Sequence, residues 1–264
     1  MRPFGLQLYT LRDLLQSPTQ IAATLHDVRA IGYEYVQVSG LGPIDNTDLR
    51  RHLDAEGLTC VATHCGFEEL RTSCETVVEK MHVLGCKDTA VGYLPKEYHN
   101  AQGYHEAGRI LGELGARMQE QGLYLSYHNH AFEFERYDGR TGHEILFEAA
   151  GLEHLSAELD TYWLVHAGCD PIAWLEAFEG FCPLLHLKDR AVVQGEPEMV
   201  EVGYGNLNWD GILRQARRSE VEWYLVEQDH CRRPPLESAK LSLERLSELW
   251  AAGEHEDDLD DTAR

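Results

Sequence analysis

Eight short runs rich in apolar and β-branched residues recur along the chain at fairly regular intervals, and the stretches between them have helical periodicity. The runs are FGLQLYT from position 4, YEYVQVSG from 33, LTCVATH from 58, CKDTAVGY from 86, LYLSYHNH from 123, HLSAELD from 154, PLLHLKD from 183 and EWYLVEQD from 222. Strands joined through helices run parallel, because only a tight turn brings the next strand back antiparallel. Eight such units without a dominant break predict an α/β fold, a single (β/α)8 TIM barrel, for which 264 residues is an ordinary length. An open doubly wound sheet is the competing architecture. It calls for a glycine-rich phosphate loop after the first strand, and none follows here. VGYGNLNWDG, residues 202–211, lacks a third glycine and follows no strand directly, so it reads as a turn into the seventh helix.

The connecting stretches carry helix start and stop chemistry. In SPTQIAATLHDVRAIG, from position 17, Ile21, Leu25, Val28 and Ile31 recur at helical spacing. Ser17 can cap this helix, Pro18 suits its first turn, Gln20 completes a capping box and Gly32 ends it. Gly57 follows the second helix, Thr141 and Glu144 form another capping box, and Asp170-Pro171 open the sixth. The barrel is assigned to residues 1–252. The remainder, 253–264 (GEHEDDLDDTAR), is acidic and nearly free of apolar side chains, and is expected to stay disordered.

Charge and cysteine usage narrow the function classes. Lys plus Arg total 23 against 45 Asp plus Glu, a net charge of −22 that repels phosphate backbones and anionic lipid, so neither nucleic acid nor a membrane is expected as a partner. The start MRPFGLQLYT has no long apolar segment and no run of 18 apolar residues occurs, so a cytoplasmic location is expected. The seven cysteines are scattered without a C-x-x-C and read as reduced, buried thiols rather than disulfides or a thiolate zinc site.

In a parallel barrel the chemistry gathers at the C-terminal strand ends. The third run ends in His64, the fifth in His128 and His130 with Glu133 beyond, the sixth in Asp160, the seventh in His186 and Lys188, and the eighth in Glu227 with Asp229 and His230 after it. Alternation in HLSAELD places Leu155, Ala157 and Leu159 toward the helices, which turns Glu158 and Asp160 toward the barrel axis. Carboxylates and a histidine converging in a low-dielectric mouth repel one another unless a cation sits among them. One divalent ion with O/N ligands, Mn²⁺, Mg²⁺, Co²⁺ or Zn²⁺, is the expected cofactor. For the other strand-end groups two readings stay open: His64 either binds substrate or is a loop histidine, and Lys188 either neutralises Asp160 or Glu158 or binds a substrate oxygen. Tyr9, Phe67, Trp163 and Trp209 fall near the same mouth, where they either pack internally or stack on a sugar face. Glu158 is expected to support a ligand rather than to be one.

THCGF, YHNHAFEF, ELDTYW, HLKD, VGYGNLNW and YLVEQD, in this order, resemble the xylose isomerase-like TIM barrels, the sugar phosphate isomerases/epimerases, a superfamily that includes inosose dehydratases and endonuclease IV. The resemblance spans about residues 4–250. It implies one divalent metal held by a glutamate on the fifth strand, an aspartate on the sixth, a histidine on the seventh and a glutamate on the eighth. Asp160, His186 and Glu227 match these places. At the fifth strand His128 occupies the end position, and Glu133 lies five residues on. Glu133 is taken as the ligand, with His128 as the alternative.

A Lewis-acidic metal flanked by acid/base groups suits proton abstraction next to a carbonyl through an enediolate. An isomerase or epimerase acting on a small sugar, keto-sugar or cyclitol, phosphorylated or not, is the leading expectation, with Glu227 taking the proton and Glu133, His128 or His130 returning it. His64, Lys188, Trp163 and Tyr9 are the candidate substrate contacts, and a homo-oligomer is compatible with the sequence. A dehydratase that expels a β-hydroxyl from the same enolate is the runner-up. A non-catalytic sugar- or metal-binding barrel is the alternative of another class. Phosphodiester hydrolysis fits poorly with a surface this acidic.

Overall fold

The computed structural model describes residues 2–262, with side chains as far as Gly253. Eight parallel strands, Phe4–Gln7, Tyr35–Val38, Thr59–Cys65, Asp88–Val91, Tyr124–His128, Ser156–Asp160, Leu184–Leu187 and Trp223–Val226, each lie beside their sequence neighbours, and the eighth closes on the first. The (β/α)8 barrel read from the sequence is the observed fold, and the quoted runs contain the eight strands except for Cys65, the last residue of the third.

The helices start and stop where their chemistry dictates. Ser17 Oγ accepts from Gln20 N at the start of Pro18–Ile31, and Gly32 ends that helix at a φ of 119°, which a side chain rarely adopts. Thr141 and Glu144 cap Gly142–Ala150 reciprocally, and Asp170 caps Pro171–Ala177. The last helix runs Pro235–Thr262, so the stretch expected as an acidic disordered tail continues this helix up to Thr262. Scarcity of apolar side chains denies a segment burial in a core, but it does not deny it helical hydrogen bonds. None of the described helices is long and apolar enough to cross a membrane.

Three local features left no readable trace in the sequence: a short helix Thr161–His166 directly after the sixth strand, and two antiparallel hairpins, Arg136–Tyr137 with Arg140–Thr141 and Asp189–Val193 with Glu196–Val200. Inserts this short carry too few residues for a period to show.

Strand alternation builds the barrel interior in layers. Near the N-terminal end Tyr35, Ala62, Leu184, Trp223 and Leu225 form a small apolar cluster separate from the main core between strands and helices. Two residues further along each strand the interior turns polar: Leu184 is followed by His186 and Leu225 by Glu227, both buried. Gln7 Nε2 donates to Gln37 Oε1 at 2.8 Å, and Gln37 Nε2 donates to Glu158 Oε1 at 2.5 Å, so amides from the first two strands fill the axis beneath the site.

Asp88, at the start of the fourth strand, is the costly group at this end. Burial, with help from Glu222 and Glu158, pushes its carboxyl up to about 7. A carboxyl raised in the folded state contributes stability below the unfolded value of about 4 and loses it as pH rises through the folded value. Asp88→Asn is therefore expected to stabilise the protein by roughly 2–4 kcal/mol at pH 8 relative to its effect at pH 4, read from paired urea titrations. An equal effect at both pH values would show that the carboxyl is not strained.

Candidate metal and acid–base site

The sixth, seventh and eighth strands end with Asp160, His186 and Glu227 pointing inward, and the fifth adds His128. One ligand atom from each of these four residues lies within 4.8 Å of the other three, and all four are buried. His186 Nδ1 is 2.8 Å from Glu227 Oε2 and 3.9 Å from Asp160 Oδ2, while His128 Nε2 is 4.0 Å from Asp160 Oδ2. A second set shares two of these histidines: His64, His128 and His186 surround Glu158, with His64 Nε2 2.5 Å from its Oε2 and His186 Nε2 3.4 Å from its Oε1.

The electrostatics follow from burial against proximity. Burial disfavours the His186 cation, but Glu158 and Glu227 outweigh it and lift the ring to about 10. Burial works equally against the carboxylates of Glu158 and Glu227. His186 with His64 holds the first well below the usual range, and Lys188 with His186 holds the second. Asp160 is pushed up by burial despite Lys188. His130, desolvated and next to His128, falls to about 2 and is neutral near pH 7.

These residues fit a divalent cation. Asp160 Oδ2 and His128 Nδ1 are buried without a hydrogen bond of good geometry, although Lys188 Nζ and Glu158 Oε2 stand 3.0 and 3.3 Å away. Buried polar atoms left in this state are costly unless something binds them. Gln37 Oε1 can only accept, so the 2.7 Å contact from His186 Nε2 places the proton of a neutral ring on that nitrogen and leaves Nδ1 as the lone pair facing Asp160 and Glu227. Two imidazoles and two carboxylates suit Mn²⁺, Co²⁺ or Zn²⁺ better than Mg²⁺, which prefers oxygen.

Glu133, expected as the fifth-strand ligand and as an acid/base group, is not brought to this cluster. Its carboxylate accepts from Tyr127 OH and from His130 N, each at 2.9 Å, and burial raises it to about 8. Tyr127 lies on the helix-facing side of the fifth strand, against Phe147, and draws Glu133 away from the axis. His128, which shares the inward phase with Ser126, is the fifth-strand residue that stands with Asp160, His186 and Glu227. Lys188 meets Asp160 at 3.0 Å, Glu227 at 2.8 Å and Asp229 at 3.0 Å, so of the two acids it was expected to neutralise, Asp160 is the one it pairs with.

Above the cluster a cavity of about 580 Å³ opens at the C-terminal mouth. Tyr9, His64, His130, Trp163, Tyr93 and Met199 line it together with His128, Glu227 and Asp229, so the candidate substrate contacts Tyr9, His64 and Trp163 face one space. Phe67 and Trp209, by contrast, are buried in the core. Gly92 is required beside His64, since a Cβ there would stand 2.7 Å from His64 Nδ1.

Three contributors went unread in the sequence. Gln7 and Gln37 were betrayed only by being amides at inward positions of apolar strands. Asp189, fully buried, ties down the loop after the hairpin: it accepts from Gly203 N at 2.8 Å, Gly205 N at 2.9 Å and Trp209 Nε1 at 2.7 Å. Asp189→Ala is expected to cost about 2–4 kcal/mol, by stranding these donors, and to open residues 201–208 to proteolysis before global unfolding. Limited digestion with peptide mapping would check this, and cleavage first elsewhere would contradict it.

The protein is a closed parallel α/β barrel with a buried His/Asp/Glu cluster at its C-terminal mouth that could hold a metal ion. The chain belongs to the xylose isomerase-like TIM barrel family, whose sequence profile matches residues 25–249. It is 23% identical to the rhizopine catabolism protein MocC of Rhizobium meliloti, over 90% of this chain and 84% of that one. Two solved structures share the fold. A sugar phosphate isomerase/epimerase from Parabacteroides distasonis superposes with a TM-score of 0.76 at 22% identity, covering 90% of this chain and 91% of that one. AsbF of Bacillus anthracis, a probable 3-DHS dehydratase, does so with a TM-score of 0.69 at 15% identity, covering 93% and 99%.

Proposed function

We propose that this protein moves a proton at the carbon next to a carbonyl in a sugar or cyclitol, as an isomerase or epimerase dependent on one divalent metal. The convergence of His128, Asp160, His186 and Glu227 from four consecutive strands onto one buried point carries this reading. A divalent ion held there would supply Lewis acidity for the substrate's oxygens.

The chain's own groups supply the proton chemistry. Glu227 borders the cavity, and Lys188, 2.8 Å from its Oε2, keeps it ionised, so it stands ready to accept a proton. His64, braced by Glu158 at 2.5 Å, lies on the other side of His186, its ring stacked on that ring at 5.5 Å between centroids. A carboxylate behind an imidazole fixes its orientation and stabilises its cation, which suits His64 to deliver a proton from a second direction. This role replaces the one expected of Glu133. Trp163 and His130 line the same cavity and present their rings to a bound sugar.

A dehydratase is the second reading, because a histidine braced by a carboxylate is also a competent acid for a departing β-hydroxide. Protein loaded with Mn²⁺ and incubated in D₂O with a panel of ketoses and inososes is expected to exchange the α-proton. Exchange with a rising ultraviolet absorbance would assign elimination, and exchange without it isomerisation or epimerisation. Binding without exchange on any member of the panel would leave a binding barrel and end the catalytic reading.

A further inference from the structure

The side chains that recognise the rest of the substrate point to its charge. We propose that the cavity takes an uncharged, unphosphorylated polyhydroxy carbonyl compound and rejects the corresponding phosphate ester. The inference rests on the proposed function and narrows its substrate class.

Three cations near the mouth offer themselves for a phosphate in the sequence, Arg12, Lys188 and Arg190, and the structure disposes of each. Lys188 is buried and clamped by Asp160, Glu227 and Asp229 at 2.8–3.0 Å, leaving it no donor directed at a further anion. Arg12 donates to Tyr9 O at 3.0 Å and to Asp229 O at 2.8 Å, with its guanidinium 4.4 Å from the centre of the Tyr9 ring. Arg190 points elsewhere, into a separate cavity of about 330 Å³ that it shares with Asp170 and Asn206. The arginines after the eighth strand are paired too, Arg232 with Glu198 and Arg233 with Glu201.

What lines the cavity is therefore aromatic, imidazole and acidic. Among the described residues it holds Glu227 and Asp229 but no lysine or arginine. Around the axis stand four carboxylates, Glu158 among the imidazoles and Asp160, Glu227 and Asp229 about the ammonium of Lys188, so with neutral imidazoles three negative charges are in excess. A divalent ion offsets two of the three excess negative charges, so a phosphate dianion would still meet net repulsion, reinforced by the −22 charge of the chain. A neutral polyol meets no such opposition. Its hydroxyls suit the imidazoles of His64 and His130, and its C–H faces suit Tyr9, Tyr93 and Trp163, all of which line the cavity.

The test compares binding by calorimetry of D-fructose with D-fructose 6-phosphate and of L-ribulose with L-ribulose 5-phosphate, to Mn²⁺-loaded and metal-free protein, at low and high salt. The free ketose of at least one pair is expected to bind the loaded protein about 100-fold tighter than its phosphate, with the gap shrinking as salt screens the repulsion. Met199→Lys, which adds a cation to the lining, is expected to narrow the gap about tenfold. Equal or tighter binding of the phosphates overturns this inference, while α-proton exchange on them would still uphold the proposed function. A free ketose that binds but does not exchange counts against the function and leaves the preference standing. If neither member of either pair binds, both readings fall.

Discussion

Asp160→Asn and His186→Ala are expected to abolish retention of a divalent metal that wild-type protein holds at about one equivalent, and to reduce α-proton exchange by at least about 1,000-fold. The four ligand atoms lie within 4.8 Å of one another, so each substitution removes a quarter of the donor set without vacating the cavity above it. Lewis-acid stabilisation of a developing oxyanion is worth several kcal/mol, and about 4 kcal/mol corresponds to a factor near 1,000. Metal content by plasma mass spectrometry, measured on chelator-free preparations of wild type and both variants, checks the ligands independently of turnover. Glu133→Gln separates the two fifth-strand assignments: with its carboxylate committed to Tyr127 and His130, it should leave the metal content unchanged. Wild type that rebinds no Mn²⁺, Co²⁺ or Zn²⁺ would refute the site.

Lys188→Met is expected to destabilise the metal-free protein by about 3–5 kcal/mol, because it strands carboxylates that are buried at the axis. Its ammonium meets three of them within 3.0 Å. The sign with pH follows from both partners. Burial opposes the Lys188 charge, but Asp160 and Glu227 hold it well above the usual range, so its contribution is complete below about pH 10. Glu227 is held low, so its share is present above about pH 4 and fades as acid titrates its folded form. The loss should be flat between about pH 5 and pH 9 and shrink below pH 4. Bound Mn²⁺ should return part of the stability, since a cation replaces a cation. Urea midpoints with and without metal across this range measure it, and a variant as stable as wild type at pH 8 would mean that the three carboxylates do not need the ammonium.

The barrel was legible because each strand's apolar run and each helix's caps are local. Ser17, Gly32, Thr141 and Asp170 act within one turn of chain, and they fall where the sequence places them. Asp160, His186 and Glu227 were legible for a related reason: alternation along a strand assigns each to a face, and closure of eight strands makes that face the interior. Glu133 matched the family's fifth-strand ligand by residue type alone, and residue type does not decide which way a side chain points. His128 sits in phase with Ser126, whereas Glu133 follows a turn and is captured by a tyrosine on the opposite side of its own strand.

The amides of Gln7 and Gln37 and the clamp on Lys188 belong to a different class. Gln37 reaches Glu158 and His186, 121 and 149 residues away, and Lys188 meets Asp229 across 41. By itself the sequence determined the eight barrel strands and the main helices between them, their parallel order, and which strand ends carry acids and imidazoles, because propensity, capping and period are properties of neighbouring residues. Only the tertiary structure decided which histidine stands among the carboxylates, where each arginine and lysine spends its charge, and so what the cavity can accept, because pairing among side chains far apart in the chain depends on ångström-scale distances that exist only once the barrel has closed.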